Sequence, residues 1–139
     1  SSEMIRLTDE KISASGAKNL KTKFFDLEHS DLEGEKFDLI YTQMVLHHVT
    51  DIKSILRKFS KLLKKRGYLA IADLYEEDGS FHGNEFTGHK GFRIEYLSLI
   101  LTENGFTDIT SGKCFEITRK LETGLTKDFD VFLMTARLE

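Results

Sequence analysis

Two adjacent histidines, His47 and His48, follow a largely apolar stretch at residues 37–46 and carry side chains able to do chemistry. An imidazole titrates near neutral pH, so it can act as a general base, and it is also a common metal ligand. A metal site needs further ligands at a suitable spacing, and adjacent side chains on an extended segment point in opposite directions. We therefore expect no metal site here, and the pair is either a base or one wall of a binding crevice.

The composition is that of one folded domain. The 139 residues are 40% hydrophobic and 31% charged, which is typical of a globular chain and too apolar for disorder. A formal net charge of -3 gives no global attraction to nucleic acid or to an anionic membrane. The single cysteine, Cys114, excludes an internal disulfide, and we expect it to be a small packing residue. With no transmembrane run or signal peptide in the sequence, we expect a cytoplasmic protein.

The elements around the histidines must position them. Residues 37–44 (FDLIYTQM) are almost continuously apolar, which is typical of a strand in a parallel sheet covered by helices on both sides. An amphipathic helix is predicted at 52–65, with Asp51 as its N-cap and Gly67 at its end. A second buried strand is predicted at 68–74.

The rest of the chain continues this alternation. We predict a helix at 2–15 ending at Gly16, a short strand at 21–25, a polar insert at 76–90, a helix at 94–104, an extended strand or broken pair over 106–119, and a strand at 128–137. This order predicts a single α/β domain over residues 1–139. Its Rossmann-like sheet is expected to be mainly parallel, with helices on both faces and an antiparallel C-terminal edge.

Three stretches carry a family resemblance. They are FDLIYTQMVLHHVTDIKSILRKFSKLLKKRGYLAIADL at 37–74, GHKGFRIEYLSLILTENGFTDI at 88–109 and VFLMTAR at 131–137. In this order they resemble the fourth and fifth strands, the helix before the sixth strand, and the seventh strand of class I S-adenosylmethionine-dependent methyltransferases. The resemblance is to the small-molecule branch related to quinone-biosynthesis enzymes, and it covers nearly the whole chain.

One motif of that family is not matched by this sequence. The family's first strand carries a glycine-rich turn of GxGxG type, against which the methionine end of the cofactor lies. The resemblance also implies an acidic residue for the ribose just before residues 1–4, because SSEM is similar to the tail of a D-x-S-x-x-M run. We therefore expect a truncated fold, incomplete at its N-terminus by about one strand-helix-strand unit.

The resemblance implies S-adenosylmethionine as the cofactor. Asp26 follows the predicted strand 21–25, where the family has an acid that accepts a hydrogen bond from the adenine amino group. The alternative is an Asx-turn or a solvated loop acid. Leu27, the next residue, would offer a backbone amide and an apolar wall to the adenine.

The end of the strand 37–44 is the second part of the implied cofactor site. In an open α/β sheet, ligands bind outside the carboxyl ends of the strands. Gln43, Met44 and Val45 would line the cofactor there, although plain core packing is the alternative for Val45. His47 and His48 come next and are the candidate catalytic residues, because methyl transfer needs a base when the acceptor must lose a proton.

Four further residues are candidates for contacts with the acceptor. Asp73 and Tyr75 come at the end of the strand 68–74, where Asp73 could instead cap a turn. His82 and His89 lie in the insert 76–90, which the resemblance places over the acceptor pocket as a lid. Exposed loop residues without function are the alternative for both histidines.

The sequence therefore favours methyl transfer to a small-molecule acceptor. The alternative is a non-catalytic binding or scaffold module of the same fold, which the unmatched glycine-rich turn motivates. A nicotinamide-dependent oxidoreductase is disfavoured, because no GxGxxG follows a predicted strand. If the strand 37–44 is an open sheet edge, we expect it either to pair with residues 22–25 or to form a homodimer.

Overall fold

The computed structural model describes residues 1–34 and 36–139, which form two compact units, Ser1–Asp31 and Leu32–Glu139. The first unit contains helix α1 (Ser2–Ser15), as predicted. The Ser1 hydroxyl accepts a hydrogen bond from the Met4 N–H at 3.4 Å, and Gly16 ends the helix in the left-handed conformation at φ 69°. That the whole chain forms one domain stays a prediction.

The strand predicted at 21–25 is wrong, because the described residues 17–25 have no strand conformation. Phe24 and Phe25 are both exposed. A single extended segment cannot satisfy its own backbone N–H and C=O groups without a neighbouring strand, so the residue types of 21–25 alone do not make one. The predicted pairing of residues 22–25 with the strand 37–44 required that strand and is therefore not supported.

The second unit is built on a four-stranded sheet with the order β1-β2-β4-β3. The strands are β1 (Phe37–Gln43), β2 (Leu63–Leu74), β3 (Phe106–Lys120) and β4 (Thr126–Leu138). β1 runs parallel to β2, whereas β4 is antiparallel to both β2 and β3. The predicted α/β class with an antiparallel C-terminal edge is confirmed, and the parallel pairing lies next to the two histidines.

Helices α2 (Ile52–Leu62) and α3 (Ile94–Glu103) complete the unit. The Asp51 carboxylate accepts the Ser54 N–H at 2.9 Å, which confirms the predicted N-cap. α2 was predicted to reach residue 65, but it ends at Leu62, because β2 begins directly at Leu63. Gly67 therefore lies within β2 rather than at a helix end, beside a change in the β1–β2 register. A Cβ there would come within 2.9 Å of the Lys64 carbonyl oxygen, which explains why a glycine is needed.

The core lies where the buried faces of the two helices meet the sheet. The fully buried side chains include Leu56, Leu69, Ile71, Leu97, Ile100, Leu101, Phe132 and Met134. β1 was predicted to be buried on both faces, but one face is exposed. Leu39 and Tyr41 share this face, and they are 54% and 73% exposed. Cys114 is exposed on β3, so the expected packing role is wrong.

Among residues 1–34 and 36–139, no helix has the length and apolar character needed to cross a membrane.

Candidate functional site

The chain turns sharply where β1 ends. Met44 adopts φ 52°, a left-handed conformation that is uncommon for a residue other than glycine, and its N–H still donates to the Ala72 carbonyl at 2.9 Å. A short 3-10 turn at Leu46–His48 follows. Because the two histidines lie on this turn and not on extended chain, the expectation that their side chains diverge is wrong. Their ring centroids are 4.2 Å apart.

A buried carboxylate at the end of β2 holds the first of these histidines. Asp73 Oδ1 lies 2.6 Å from His47 Nδ1, and the two side chains are 0% and 1% exposed. The same carboxylate accepts the backbone N–H of Leu74 at 2.8 Å and that of His47 at 3.3 Å. With its Nδ1–H donated to Asp73, the His47 ring presents Nε2 as the nitrogen with a free lone pair.

A third histidine, from the insert, meets this nitrogen. His82 Nε2 lies 3.0 Å from His47 Nε2, although the two residues are 35 positions apart in sequence. The ring of Phe86 stacks on His82 with centroids 4.1 Å apart and meets His48 edge-on at 5.2 Å. The structure thus brings together His47, His48 and His82, three of the predicted site residues.

The surroundings lower the pKa of two of these imidazoles, which favours their neutral form. Burial lowers the pKa of His48 from its usual value, and the neighbouring His47 lowers it further, while Asp73 acts in the opposite direction. Burial also lowers the pKa of His82, and the electrostatic effects of His47, His48 and Arg119 lower it further, while Asp73 acts in the opposite direction. A neutral imidazole has a nitrogen lone pair, which is what either a hydrogen-bond acceptor or a ligand requires.

The base of the insert is tied to β2 by backbone hydrogen bonds. Phe92 N–H donates to the Leu74 carbonyl at 2.9 Å, and Glu77 N–H donates to the Lys90 carbonyl at 2.9 Å. Gly91, between these contacts, has φ 73°, and a Cβ at this position would overlap the carbonyl oxygen of Tyr75. A glycine is therefore required at the point where the insert returns to the sheet.

The tip of the insert packs on the β3–β4 hairpin. Phe81 is buried, and its ring lies 5.1 Å from that of Phe129. Arg119 donates from Nη1 to the Phe81 carbonyl at 2.6 Å, with its guanidinium over the Phe81 ring at 4.6 Å. Lys127 forms an ion pair with Asp78 at 2.7 Å. The hairpin residues were not predicted, because contacts across about 40 residues leave no local pattern in a sequence.

A cavity of about 280 Å³ opens beside the histidines. Its wall includes His48 and Thr50 from the segment after β1, and Phe86, Thr87 and His89 from the insert. The His89 N–H donates to the His47 carbonyl at 2.8 Å, which holds the two walls together. The volume is near the lower end of the range for small-molecule sites.

The other predicted site residues are placed as follows. At the end of β1, Gln43 and Val45 are exposed and Met44 is half-buried. Tyr75 is half-buried, with its ring 5.4 Å from that of Phe132, and so lies beside β4. Asp73 is fully buried and contacts His47, so the structure gives it a positioning contact within the chain.

Asp26 and Leu27 lie in the first unit. The Asp26 carboxylate accepts the N–H groups of Glu28 at 3.1 Å and His29 at 3.3 Å, and it lies 2.9 Å from His29 Nδ1. This is the Asx-turn left open by the sequence. The His29 hydrogen bond is the main cause that holds the pKa of Asp26 below its usual value.

Comparison with known proteins gives a consistent family. The family model described as "Methyltransferase domain" matches residues 1–121. An uncharacterized methyltransferase of Schizosaccharomyces pombe is 32% identical over 91 residues, which cover 60% of this chain and 32% of that protein. The chain thus spans about a third of the length of this curated relative.

Solved structures share the fold. A provisionally assigned methyltransferase of Bacillus halodurans superposes with a TM-score of 0.77 at 16% identity, covering 99% of this chain and 79% of that one. The Haemonchus contortus phosphoethanolamine N-methyltransferase 2, solved with phosphomonomethylethanolamine and S-adenosylhomocysteine, gives 0.66 at 11% identity, covering 93% and 39%.

Proposed function

We propose that this chain, which belongs to the class I S-adenosylmethionine-dependent methyltransferase family, supports methyl transfer to a small-molecule acceptor. The acceptor would occupy the cavity between the segment after β1 and the insert. S-adenosylmethionine is the cofactor of the family. Bound next to this cavity, it would supply the methyl group on an electrophilic sulfonium.

The observation that carries this proposal is the buried Asp73–His47 pair. It joins the ends of two neighbouring parallel strands, which is where open α/β sheets bind their ligands. A carboxylate and an imidazole that are both almost fully buried are costly to desolvate, so their presence at this place favours a site over ordinary core packing.

The residues at the end of β1 fit one wall of a cofactor site. Gln43 offers an exposed amide, and Val45 offers an apolar side chain that is 52% exposed. Met44, between these two exposed residues, has the left-handed φ of 52° directly after the end of β1. We propose Gln43, Met44 and Val45 as cofactor contacts in the second unit. For Asp26 and Leu27, in the first unit taken by itself, the adenine contacts that the family resemblance implies stay a proposal.

Methyl transfer is an in-line displacement, so alignment of the acceptor comes first. His48, His89 and Thr50 line the cavity and can orient a polar group on the acceptor by hydrogen bonds. Phe86 supplies an apolar face. His47 is buried and positions the wall through Asp73. A catalytic role for His47 and His48, and contacts of Asp73, Tyr75 and His82 with the acceptor, remain proposals.

Two further proposals concern the protein as a whole. Within the described part of the second unit, β1 pairs with β2 alone, and its exposed Leu39 and Tyr41 favour self-association through this edge. We also propose that the protein acts in the cytoplasm, with no nucleic acid or membrane as a partner, in keeping with its net charge of -3.

Calorimetric titration with S-adenosylhomocysteine tests the proposed function. We expect micromolar affinity, which corresponds to about -8 kcal/mol, for the unmodified chain. Val45→Asp should weaken binding at least tenfold, because it places a charge on the proposed cofactor wall. Leu125→Asp is the matched control, since Leu125 is also an exposed aliphatic residue, at 69%, and lies in the β3–β4 connection.

Two outcomes would overturn the proposal. One is no heat of binding from a correctly folded wild-type chain, which would favour the non-catalytic binding module. The other is equal affinity for wild type and Val45→Asp, which would mean that the cofactor binds away from the end of β1. A chain that binds should then be assayed for transfer of a labelled methyl group to small O, N and S nucleophiles.

A further inference from the structure

Three imidazoles converge where the end of β1 meets the insert. The ligand nitrogens of His47, His48 and His82 all lie within 4.8 Å of one another. Two of the residues share the Leu46–His48 turn, and the third comes from the insert 35 residues after His47. We propose that these three histidines form a Zn²⁺ site that fastens the insert to the end of β1.

The spacing of the nitrogens suits such an ion. Zinc binds imidazole nitrogen at about 2.0–2.1 Å, so two nitrogens on one tetrahedral ion lie about 3.3 Å apart. The His47 and His82 Nε2 atoms are 3.0 Å apart. His48 is exposed, so its ring is free to turn by the small amount needed to complete the set.

The outer contacts of His47 are those of a metal ligand. A ligating histidine usually donates its second ring N–H to a carboxylate, which fixes the ring and directs the other nitrogen to the metal. Asp73 does this at 2.6 Å, and its own carboxylate is held by the Leu74 N–H at 2.8 Å. The carboxylate is completely buried, so it also supplies a negative charge close to the cation.

The donor set selects the class of metal. Three imidazoles without a carboxylate or thiolate in the set suit zinc better than magnesium or calcium, which prefer oxygen ligands. Three protein ligands leave a fourth position open to water or to a molecule in the adjoining cavity. His48 belongs to both the cluster and the cavity wall, so the open position can face that cavity.

The structural consequence is a connection across a long loop. Without the ion, His82 reaches the turn through one imidazole–imidazole hydrogen bond. With it, the insert would be bonded to the turn through zinc, and the insert would be ordered over the cavity. This inference stands on the histidine geometry and does not require the proposed methyl transfer. With zinc bound, the coordinating nitrogens of His47 and His48 have no lone pair left to act as a general base, so these two roles exclude each other.

The test measures metal binding directly. The full chain is first freed of metal with a chelator and dialysed. It is then titrated with Zn²⁺ in competition with a chromophoric chelator. A separate titration uses Co²⁺, whose visible spectrum reports tetrahedral coordination. We expect one Zn²⁺ per chain and a tetrahedral Co²⁺ spectrum. His82→Gln and His48→Gln should each weaken Zn²⁺ binding at least tenfold, and both residues are exposed, so the fold should be retained.

Two matched variants control for histidine loss in general. His89→Gln removes an imidazole from the same insert, and His29→Gln removes one from the first unit, and neither belongs to the cluster. Both should bind Zn²⁺ as the wild type does. Asp73→Asn should weaken binding by about 10–100-fold through the orientation of His47.

Zn²⁺ should also protect the amides of the insert from hydrogen exchange in the wild type, and not in His82→Gln. The inference is overturned if the wild type binds less than one equivalent of Zn²⁺ at micromolar concentration. It is equally overturned if His82→Gln and His48→Gln bind as tightly as His89→Gln.

Discussion

Asp73 at the end of β2 holds His47 beyond the end of β1, with Oδ1 2.6 Å from Nδ1 and both side chains almost completely buried. The parallel pairing of β1 and β2 brings the two residues together, although they are 26 positions apart in sequence. The contact fixes the direction of the imidazole, and therefore what its second nitrogen can bind.

Asp73→Asn should destabilise the protein. Among the described residues, the groups that hydrogen-bond to the carboxylate are donors, namely the Nδ1–H and backbone N–H of His47 and the N–H of Leu74. An asparagine would place its NH₂ group against one of these donors and leave buried polar groups unsatisfied. We expect a loss of about 1–3 kcal/mol in the free energy of unfolding, measured with denaturant.

The control for this change is Asp38→Asn. Asp38 is 84% exposed and pairs with Lys64 on the surface, so its loss should change the unfolding free energy by less than about 1 kcal/mol. Equal effects of the two variants would contradict the importance of the buried contact.

Gly88→Ala should displace the insert. A Cβ on Gly88 would overlap the Phe86 ring and the His47 carbonyl oxygen. We expect destabilisation of about 1–3 kcal/mol, the usual cost of overpacking, with faster hydrogen exchange at the His89 amide that donates to His47. Gly112→Ala is the matched control, because nothing lies within 4 Å of its added Cβ. An unchanged His89 amide in Gly88→Ala would mean that the insert is held differently.

The edge of β1 should support self-association. We expect the wild type to form a dimer whose proportion rises with concentration in analytical ultracentrifugation. Tyr41→Lys should favour the monomer, since a charge on an open edge strand opposes strand pairing. Phe115→Lys changes a residue of similar exposure on β3, the opposite edge, and should leave the dimer intact. A wild type that is monomeric at every concentration would refute this prediction.

The Asp26 turn should depend on His29. The hydrogen bond from His29 lowers the pKa of Asp26, so His29→Gln should raise that pKa toward its usual value. Because the folded pKa is depressed, the stabilisation of this turn is present above the unfolded pKa, near 3.9, and is lost as the pH falls through the folded value. A carboxyl-carbon NMR titration of both chains measures the change. An unshifted Asp26 in the variant would show that the backbone N–H groups alone hold the turn.

Much of the secondary structure was predicted from local patterns. The bounds of α1, the N-cap at Asp51 and the start of α3 at Ile94 agree with periodicity and capping residues. These signals act over three or four neighbouring residues, so a sequence contains them in full. The α/β order followed from them, and the family resemblance agrees with the comparisons.

The failures have a common cause. Residues 21–25 have the composition of a strand, yet no neighbouring strand in their unit pairs with them. Gly67 has the position of a helix end, yet the pairing of β1 with β2 draws the chain into a strand from Leu63 onward. In both places, hydrogen bonds between distant segments decide the local conformation.

The sequence by itself determined which reactive side chains this protein carries and on which elements they lie. They are two adjacent histidines after an apolar strand, an acid at the end of the next strand, and two more histidines in a polar insert. Only the tertiary structure decided that His47, His48 and His82 form one cluster and that Asp73 fixes the first of them. The parallel strands and the 3-10 turn bring together residues up to 35 positions apart. Contacts over such distances arise from packing of the whole unit, and for this reason residue spacing could not predict them.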